Sequence, residues 1–427
     1  MNVLAAVLVV AGIGAAAALC WPAAQRTGLR VWHPAVAWLV LHALFFGLGS
    51  ARLALDGRSG PGLYVAGAAL VFGAAVALSD RLARGRARAA GATDAAGVPD
   101  APDADSRELD GRVDPAPLRP LTVVGLAALG LLLVLPTLIR VGLPFLVEDI
   151  TGARSELAGP ELQLLRVAVP ALGLAIVLGS RERLRSWLVV AALIVLEIAL
   201  ASRYLAAELI AVLFIGVGLA GWRVRPRLVL AGALIALIGF GGVQVLRAYD
   251  QAAGRELAFA MERTVNRVVL VQPRTLEALQ DAIPAEQPYF GGLTWLRRLG
   301  PALGRPDIPN LGYWVYPRIF PGQVPPGYAA PGLIGEAWAN FGPLGLALFA
   351  LLGVIVERLG AFLARRRPAT GDLIAGTLAV VFLARTHALG LNGLAFLLLL
   401  VVVWRIVAAG GLAGTGSAMR DVLRWRV

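Results

Sequence analysis

Charged residues set inside apolar runs are the first places to look for chemistry in this sequence. Glu336 lies in GLIGEAWANF (332–341), at the start of a long apolar run. A carboxylate in hydrocarbon costs on the order of a few kcal/mol, so it faces protein or water and is read first as a functional group. Arginines take comparable places: Arg140, Arg166, Arg203, Arg247 and Arg385 fall near the ends of apolar segments, and His387 follows two positions after Arg385. A guanidinium is a planar fork of donors that suits a phosphate-type anion, and a carboxyl or imidazole can take a proton from a hydroxyl. Glu336 and His387 are therefore candidate bases, with Arg203, Arg247 and Arg385 as a candidate anion clamp. Each also has a plainer role open to it. An arginine at a helix end can snorkel to headgroups, Glu336 can pair with a neighbouring arginine, and His387 can pack as a hydrogen-bonded ring. Glu197, in the middle of a span, reads as a buried paired group.

The elements that must hold these residues are membrane helices. The chain has 427 residues, 58% of them hydrophobic and 15% charged, with a mean hydropathy of +0.74. Such a composition describes an all-α polytopic membrane protein rather than a soluble one with a large core. Apolar runs of about 20 residues, the length that crosses a bilayer core, give about eleven spans. They lie near 2–21, 31–51, 61–80, 120–141, 162–180, 187–204, 205–221, 228–247, 331–356, 371–388 and 391–410. The N-terminus carries no basic stretch before its apolar run, so it reads as an uncleaved helix. The basic segments 25–30, 81–88, 181–185, 222–227 and 365–367 all fall on one side of this span count. The positive-inside rule makes that side the cytoplasm, with the N-terminus outside and the C-terminus inside. The intramembrane arginines, Glu336 and His387 then collect in the outer third of the bilayer. Arginine there runs against the positive-inside bias, and an anion held at that face is a reason to keep it.

All 39 basic residues are arginine, a usage that fits GC-rich coding. The net charge of +12 sits largely in short loops and does not imply nucleic-acid binding. Cys20 is the only cysteine and the three histidines are scattered. That excludes an internal disulfide or a cysteine-based metal site and leaves no histidine cluster; no cofactor is expected.

Two loops are long. Residues 81–119 are rich in Ala, Asp, Gly, Pro and Arg, and such a segment reads as a disordered cytoplasmic loop; its Asp103/Asp105 pair reads as two acids in a linker. The second loop, 248–330, is extracytoplasmic. Leu257, Met261, Val265 and Val269 recur every four residues and predict an amphipathic helix over 254–270. Its polar positions include Arg263 and Arg267, and Arg297 and Arg298 follow. Tyr289, Phe290, Trp295, Tyr313, Trp314, Tyr316 and Tyr328 stand among glycines and prolines beyond it, a density that suits an interfacial belt or a sugar-stacking wall. Within 312–359 a proline- and aromatic-rich loop leads into a short helix with Glu336 and Asn340. Gly342-Pro343 then kinks or restarts the chain before a long apolar helix.

These residues resemble a family. The stretch YFGGLTWLRRLGPALGRPDIPN (289–310) followed by GLIGEAWANFGPLGLALFALLG (332–353) is similar to the bacterial O-antigen polymerases, the oligosaccharide repeat-unit polymerases. In that family an aromatic–glycine segment and an Arg-Pro segment precede a Gly-Glu, Asn-Phe-Gly opening of a late span. Here those elements are Tyr289–Gly292, Arg297–Pro306, Gly335–Glu336 and Asn340–Gly342, and Ser202-Arg203 and Arg385 fit the same pattern. The resemblance covers about 289–358 by motif, and the 81–119 insertion departs from it.

The resemblance implies a GT-C-like fold and an inverting, metal-independent glycosyltransferase of the bacterial inner membrane. Its substrates would be undecaprenyl-pyrophosphate-linked glycans, polymerised at the outer face, with a flippase and a chain-length regulator as candidate partners beside membrane lipids. Arg203, Arg247 and Arg385 would then hold the pyrophosphate, with Arg263, Arg267, Arg297 and Arg298 contributing from the loop and Glu336 or His387 as base. Two other functions stay open. An O-antigen ligase would use the same donor with a different lipid acceptor. A lipid-linked oligosaccharide flippase would do no chemistry and would be expected to show inverted repeats and helices broken at mid-depth.

Overall fold

The computed structural model describes residues 2–94, 160–179, 183–199, 203–221, 269–300, 307–322, 328–365 and 370–385, with isolated positions at 132, 135–136, 139–140, 142, 302 and 304–305. Among the described residues every regular element is helical. α1 covers Asn2–Arg26, α2 Pro34–His42 and α3 Leu48–Leu55, the last two joined by a π-helical turn at Ala43–Gly47. α4 runs Gly60–Asp94, α5 Pro160–Gly179, α6 Arg183–Ala199 and α7 Arg203–Leu219. α8 (Val271–Ala282), a 3-10 segment (Leu293–Leu299) and α9 (Leu311–Ile319) follow. The last elements are α10 (Gly332–Phe341), a 3-10 turn (Gly342–Gly345), α11 (Leu346–Arg365) and α12 (Thr370–Arg385).

Among the described residues, four stretches are long and apolar enough to cross a membrane: Asn2–Arg26, Pro34–Leu55, Gly60–Arg86 and Gly332–Ala364. α1 exposes Val3, Leu4, Val7, Leu8 and Val10, a face that suits hydrocarbon rather than water. The chain is an α-helical membrane protein. Shorter apolar helices at Val167–Leu178, Trp187–Leu196, Glu208–Leu219 and Gly371–Leu383 fall within further expected spans. The expected spans 228–247 and 391–410, and most of 120–141, lie outside the described residues.

One difference from the sequence reading has a physical cause. The loop expected from residue 81 begins as helix, because α4 continues to Asp94; apart from Gly85, its RLARGRARAA stretch is alanine, leucine and arginine, all strong helix formers. The chain divides into two compact units. One comprises Met1–Val113, Arg267–Arg366 and Leu383–Leu391, the other Asp114–Asn266, Arg367–Phe382 and Asn392–Val427. The first boundary falls in the Ala-, Asp- and Pro-rich stretch, which offers little apolar surface to pack. The amphipathic helix expected at 254–270 lies outside the described residues except for its last two positions.

In the first unit α1, α4 and α11 pack in a row on small residues. A Cβ at Gly12 would come within 2.9 Å of Ala66, and one at Gly73 within 2.8 Å of the Ala16 backbone. Across α4, Gly353 lies against the Phe72 carbonyl, 2.5 Å from where its Cβ would be. Close backbone approach is how membrane helices gain dispersion contact when burial from lipid adds little. Trp38 fills the layer between α2 and α4, its ring stacked at 4.0 Å on Phe72 and at 4.8 Å on His42.

One end of this row is pinned by ions. Arg26 Nε donates to Asp80 at 2.5 Å, and its Nη2 donates to Glu357 at 3.2 Å. Ser79 Oγ donates to the other Glu357 oxygen at 2.8 Å, and Arg84 lies 3.1 Å from Asp80. Side chains from three helices thus meet around the buried Asp80 and Glu357 carboxylates. In the second unit α5, α6 and α7 pack together. There Gly173 admits Leu209 and Gly216 admits Leu174, both leucines fully buried.

Candidate functional site

α10 is the short helix that carries the candidate acid. Glu336 is buried in its second turn. Gly335 beside it lets α8 approach closely, since a Cβ there would lie 3.1 Å from Leu279. Leu279 and Ile283, Phe290, Leu311, Val315 and Tyr316 form the apolar cluster beneath. The chain from Ile283 to Leu293 then folds back along the C-terminal end of α10.

That return is fastened by backbone bonds. The Phe290 N–H donates to the Ala339 carbonyl at 3.1 Å and the Gly291 N–H to the Asn340 carbonyl at 2.9 Å. Both carbonyls belong to the last turn of a helix, where acceptors lack intrahelical partners. Gly291 and Gly292 have φ of +61° and +92°, the left-handed region that glycine enters without a Cβ clash. The aromatic–glycine segment is therefore a C-terminal cap for α10, and its glycines are conformational requirements.

The turn delivers side chains to Glu336. Thr294 Oγ1 donates to Glu336 Oε2 at 2.7 Å, and Asn340 Nδ2 donates to Thr294 Oγ1 at 2.6 Å and to the Glu336 carbonyl at 2.8 Å. Asn340 Oδ1 accepts the Gly292 N–H at 2.9 Å. Asn340 is 1% exposed and Glu336 8%. The carboxyl is held in a network spanning the loop and the helix, away from bulk water.

Beyond Asn340, Gly342 takes φ +57° and the helix stops. A side chain there would collide with the Tyr289 ring. Tyr64 of α4 donates its hydroxyl to the Gly342 carbonyl at 3.2 Å, and its ring meets Trp338 edge-on at 5.1 Å. Trp338 in turn donates Nε1 to the Ile283 carbonyl at 3.3 Å. The interruption expected at Gly342-Pro343 is present, and a membrane helix braces it.

The other candidate residues fall as follows. Arg297 is exposed on the 3-10 segment, three positions after Thr294, and Arg298 adjoins it. Arg203 is the first residue of α7 and Arg385 the last of α12, both at helix ends. Arg203 belongs to the second unit and Arg385 to the first. His387, Arg247, Arg263 and Arg267 lie outside the described residues. What is brought together is thus Glu336 with Thr294 and Asn340. Thr294 is a candidate functional residue whose only mark in the sequence is a lone hydroxyl between Gly292 and Trp295 in an apolar stretch.

The loop surface beside the site is aromatic. Tyr313 and Tyr328 are exposed and meet edge-on at 5.2 Å, and Arg318 lies 3.8 Å from the centre of the Trp314 ring. Arg305 in the Arg-Pro segment forms a fork with Asp307 at 3.0 and 3.1 Å, and that bonding holds the Asp307 carboxyl below its ordinary range.

Comparison with protein-family models, with curated proteins and with solved structures finds no match for this chain.

Proposed function

We propose that the protein is an inverting, metal-independent glycosyltransferase with a GT-C-like arrangement of about eleven spans. In this reading it polymerises undecaprenyl-pyrophosphate-linked oligosaccharide repeat units at the outer face of a bacterial inner membrane. Its N-terminus is outside and its C-terminus in the cytoplasm. The observation that carries the reading is the buried Glu336 carboxyl. It sits on a short helix at the head of a membrane span, and the same aromatic–glycine segment that resembles the polymerases caps that helix.

The chemistry follows from that placement. The acceptor sugar hydroxyl attacks the anomeric carbon of the donor glycan, and its proton passes to Glu336 or His387 as base. The anomeric C–O bond breaks and its electron pair leaves with undecaprenyl pyrophosphate. Negative charge grows on that leaving group, and guanidinium groups stabilise such charge where it develops; the resemblance assigns that role to Arg203, Arg247 and Arg385, with Arg263, Arg267, Arg297 and Arg298 from the loop. The exposed tyrosines beside α9 suit the faces of pyranose rings.

The test is single-round transfer by the purified protein on a synthetic lipid-linked repeat unit. Wild-type protein forms the dimeric glycan, and Glu336→Gln forms at least a hundredfold less, the low end of what a general base contributes. Equal product from both proteins removes Glu336 from the mechanism.

A second reading, a lipid-linked oligosaccharide flippase, is favoured by one feature. The Pro34–Leu55 span is interrupted by a π-helical turn beside buried His42, and such turns often mark functional positions. Translocation of the lipid-linked unit in vesicles without any new glycosidic bond would establish it.

A further inference from the structure

The hydrogen bonds around Glu336 have directions that can be assigned link by link. A backbone N–H only donates, so the Asn340 atom that meets the Gly292 N–H at 2.9 Å is the carbonyl oxygen Oδ1. The amide nitrogen Nδ2 has protons and no lone pair to accept with. It therefore donates to Thr294 Oγ1 at 2.6 Å and to the Glu336 carbonyl at 2.8 Å. With Glu336 as a carboxylate, the form a base needs, the single Thr294 hydroxyl proton completes the chain to Oε2 at 2.7 Å. The chain thus runs one way, from the backbone of the capping turn to the carboxyl. Thr294 and Asn340 are 9% and 1% exposed, so water competes little for these bonds.

We propose that Thr294 is a positioning residue for Glu336. Its hydroxyl, polarised by Asn340, fixes Oε2 as an acceptor and sets the plane in which the carboxyl meets the acceptor sugar's hydroxyl. The proposal rests on the polymerase reading and deepens it. During transfer the acceptor O–H proton goes to Glu336, the oxygen's electron pair forms the glycosidic bond, and the old anomeric bond's pair leaves on the pyrophosphate. Thr294 keeps its proton throughout. Because the chain starts at Gly292, docking of the 289–292 turn on α10 and orientation of the carboxyl become one event, which links loop order to catalytic competence.

The experiment combines two readouts on full-length protein in lipid bilayers. The first is isotope-edited infrared spectroscopy of protein labelled with ¹³C-carboxyl glutamate, the Glu336 band being isolated by subtraction of Glu336→Gln. Thr294→Val, which replaces the hydroxyl by a methyl of similar size, is expected to shift that band, and Thr294→Ser to leave it in place. The second is steady-state transfer on the lipid-linked repeat unit. Thr294→Val is expected to lower kcat about tenfold or more, the loss of roughly one buried hydrogen bond, with KM within about twofold and Thr294→Ser near wild type. If Thr294→Val does not fold, Thr294→Ala serves the same comparison. A band unmoved by loss of the hydroxyl, a serine variant as impaired as valine, or an undiminished kcat overturns the role of Thr294. A shifted band in a protein that transfers no glycan retains Thr294 as the partner of Glu336 and overturns the polymerase reading instead.

Discussion

Removing Arg26 tests whether the buried ionic knot holds three membrane helices together. The Asp80 and Glu357 side chains are 2% and 0% exposed, and Arg26 bridges them at 2.5 and 3.2 Å from the end of α1. Deleting one partner of a buried pair costs about 3–5 kcal/mol, because the remaining charge stays desolvated. Part of that loss is recovered here. Arg84 lies 3.1 Å from Asp80 and Arg358 3.6 Å from Glu357, but both are nearly half exposed, so together they return roughly 1 kcal/mol. The Arg26 side chain is itself one third exposed, which sets the net loss toward the low end, about 2–4 kcal/mol for Arg26→Met. The assay is reversible denaturant unfolding in mixed micelles. The triple variant Arg26→Met, Asp80→Asn, Glu357→Gln is expected to regain most of that loss, since it leaves no buried charge unpaired. Arg26→Met within about 0.5 kcal/mol of wild type, the range of an ordinary surface change, would refute the reasoning. So would a triple variant as unstable as the sum of its parts.

Three further outcomes follow from contacts at α8 and α10. Gly342→Ala places a Cβ at φ +57° and against the Tyr289 ring; it is expected to cost at least about 1–2 kcal/mol and to raise proteolytic cleavage in the 283–292 turn. Tyr64→Phe removes a buried bond to the Gly342 carbonyl and lowers stability by about 1 kcal/mol in the same unfolding assay. Arg58→Ala breaks the fork between Arg58 and Glu277 on α8, which is largely open to solvent on the arginine side. That change costs no more than about 1 kcal/mol, and the difference shrinks as salt is raised from 0.05 to 0.5 M, roughly the range over which screening sets in.

The membrane character was legible because it depends on local composition alone: apolar runs at 2–21, 31–51, 61–80 and 331–356 are helical, the last two extending well past their expected C-terminal ends. The stop at Gly342 was legible for the same reason, since a glycine before a proline is biased away from the helical region on local grounds. Glu336 stood out by type and place. Thr294 did not, because its role depends on a turn that brings it 42 positions along the chain to Glu336, and no pattern within the turn encodes that return. Arg26, Asp80 and Glu357 were hidden for a related reason. Each reads as an ordinary charge at the end of a span, and only the packing of α1, α4 and α11 makes them one buried group. The helix over 81–94 carries no apolar periodicity in its sequence, so only the helix propensity of its alanines, leucine and arginines marks it.

The central claim is chemical and its most direct measurement is product length. Purified protein is supplied with a synthetic undecaprenyl-pyrophosphate repeat unit and excess chelator, and the lipid-linked glycans are resolved by mass. A ladder rising by one repeat unit per step, abolished in Glu336→Gln and Arg203→Ala, is the predicted result. Transfer only to an added lipid A core acceptor would make the protein a ligase, and no new glycosidic bond from the correct repeat unit would contradict the account.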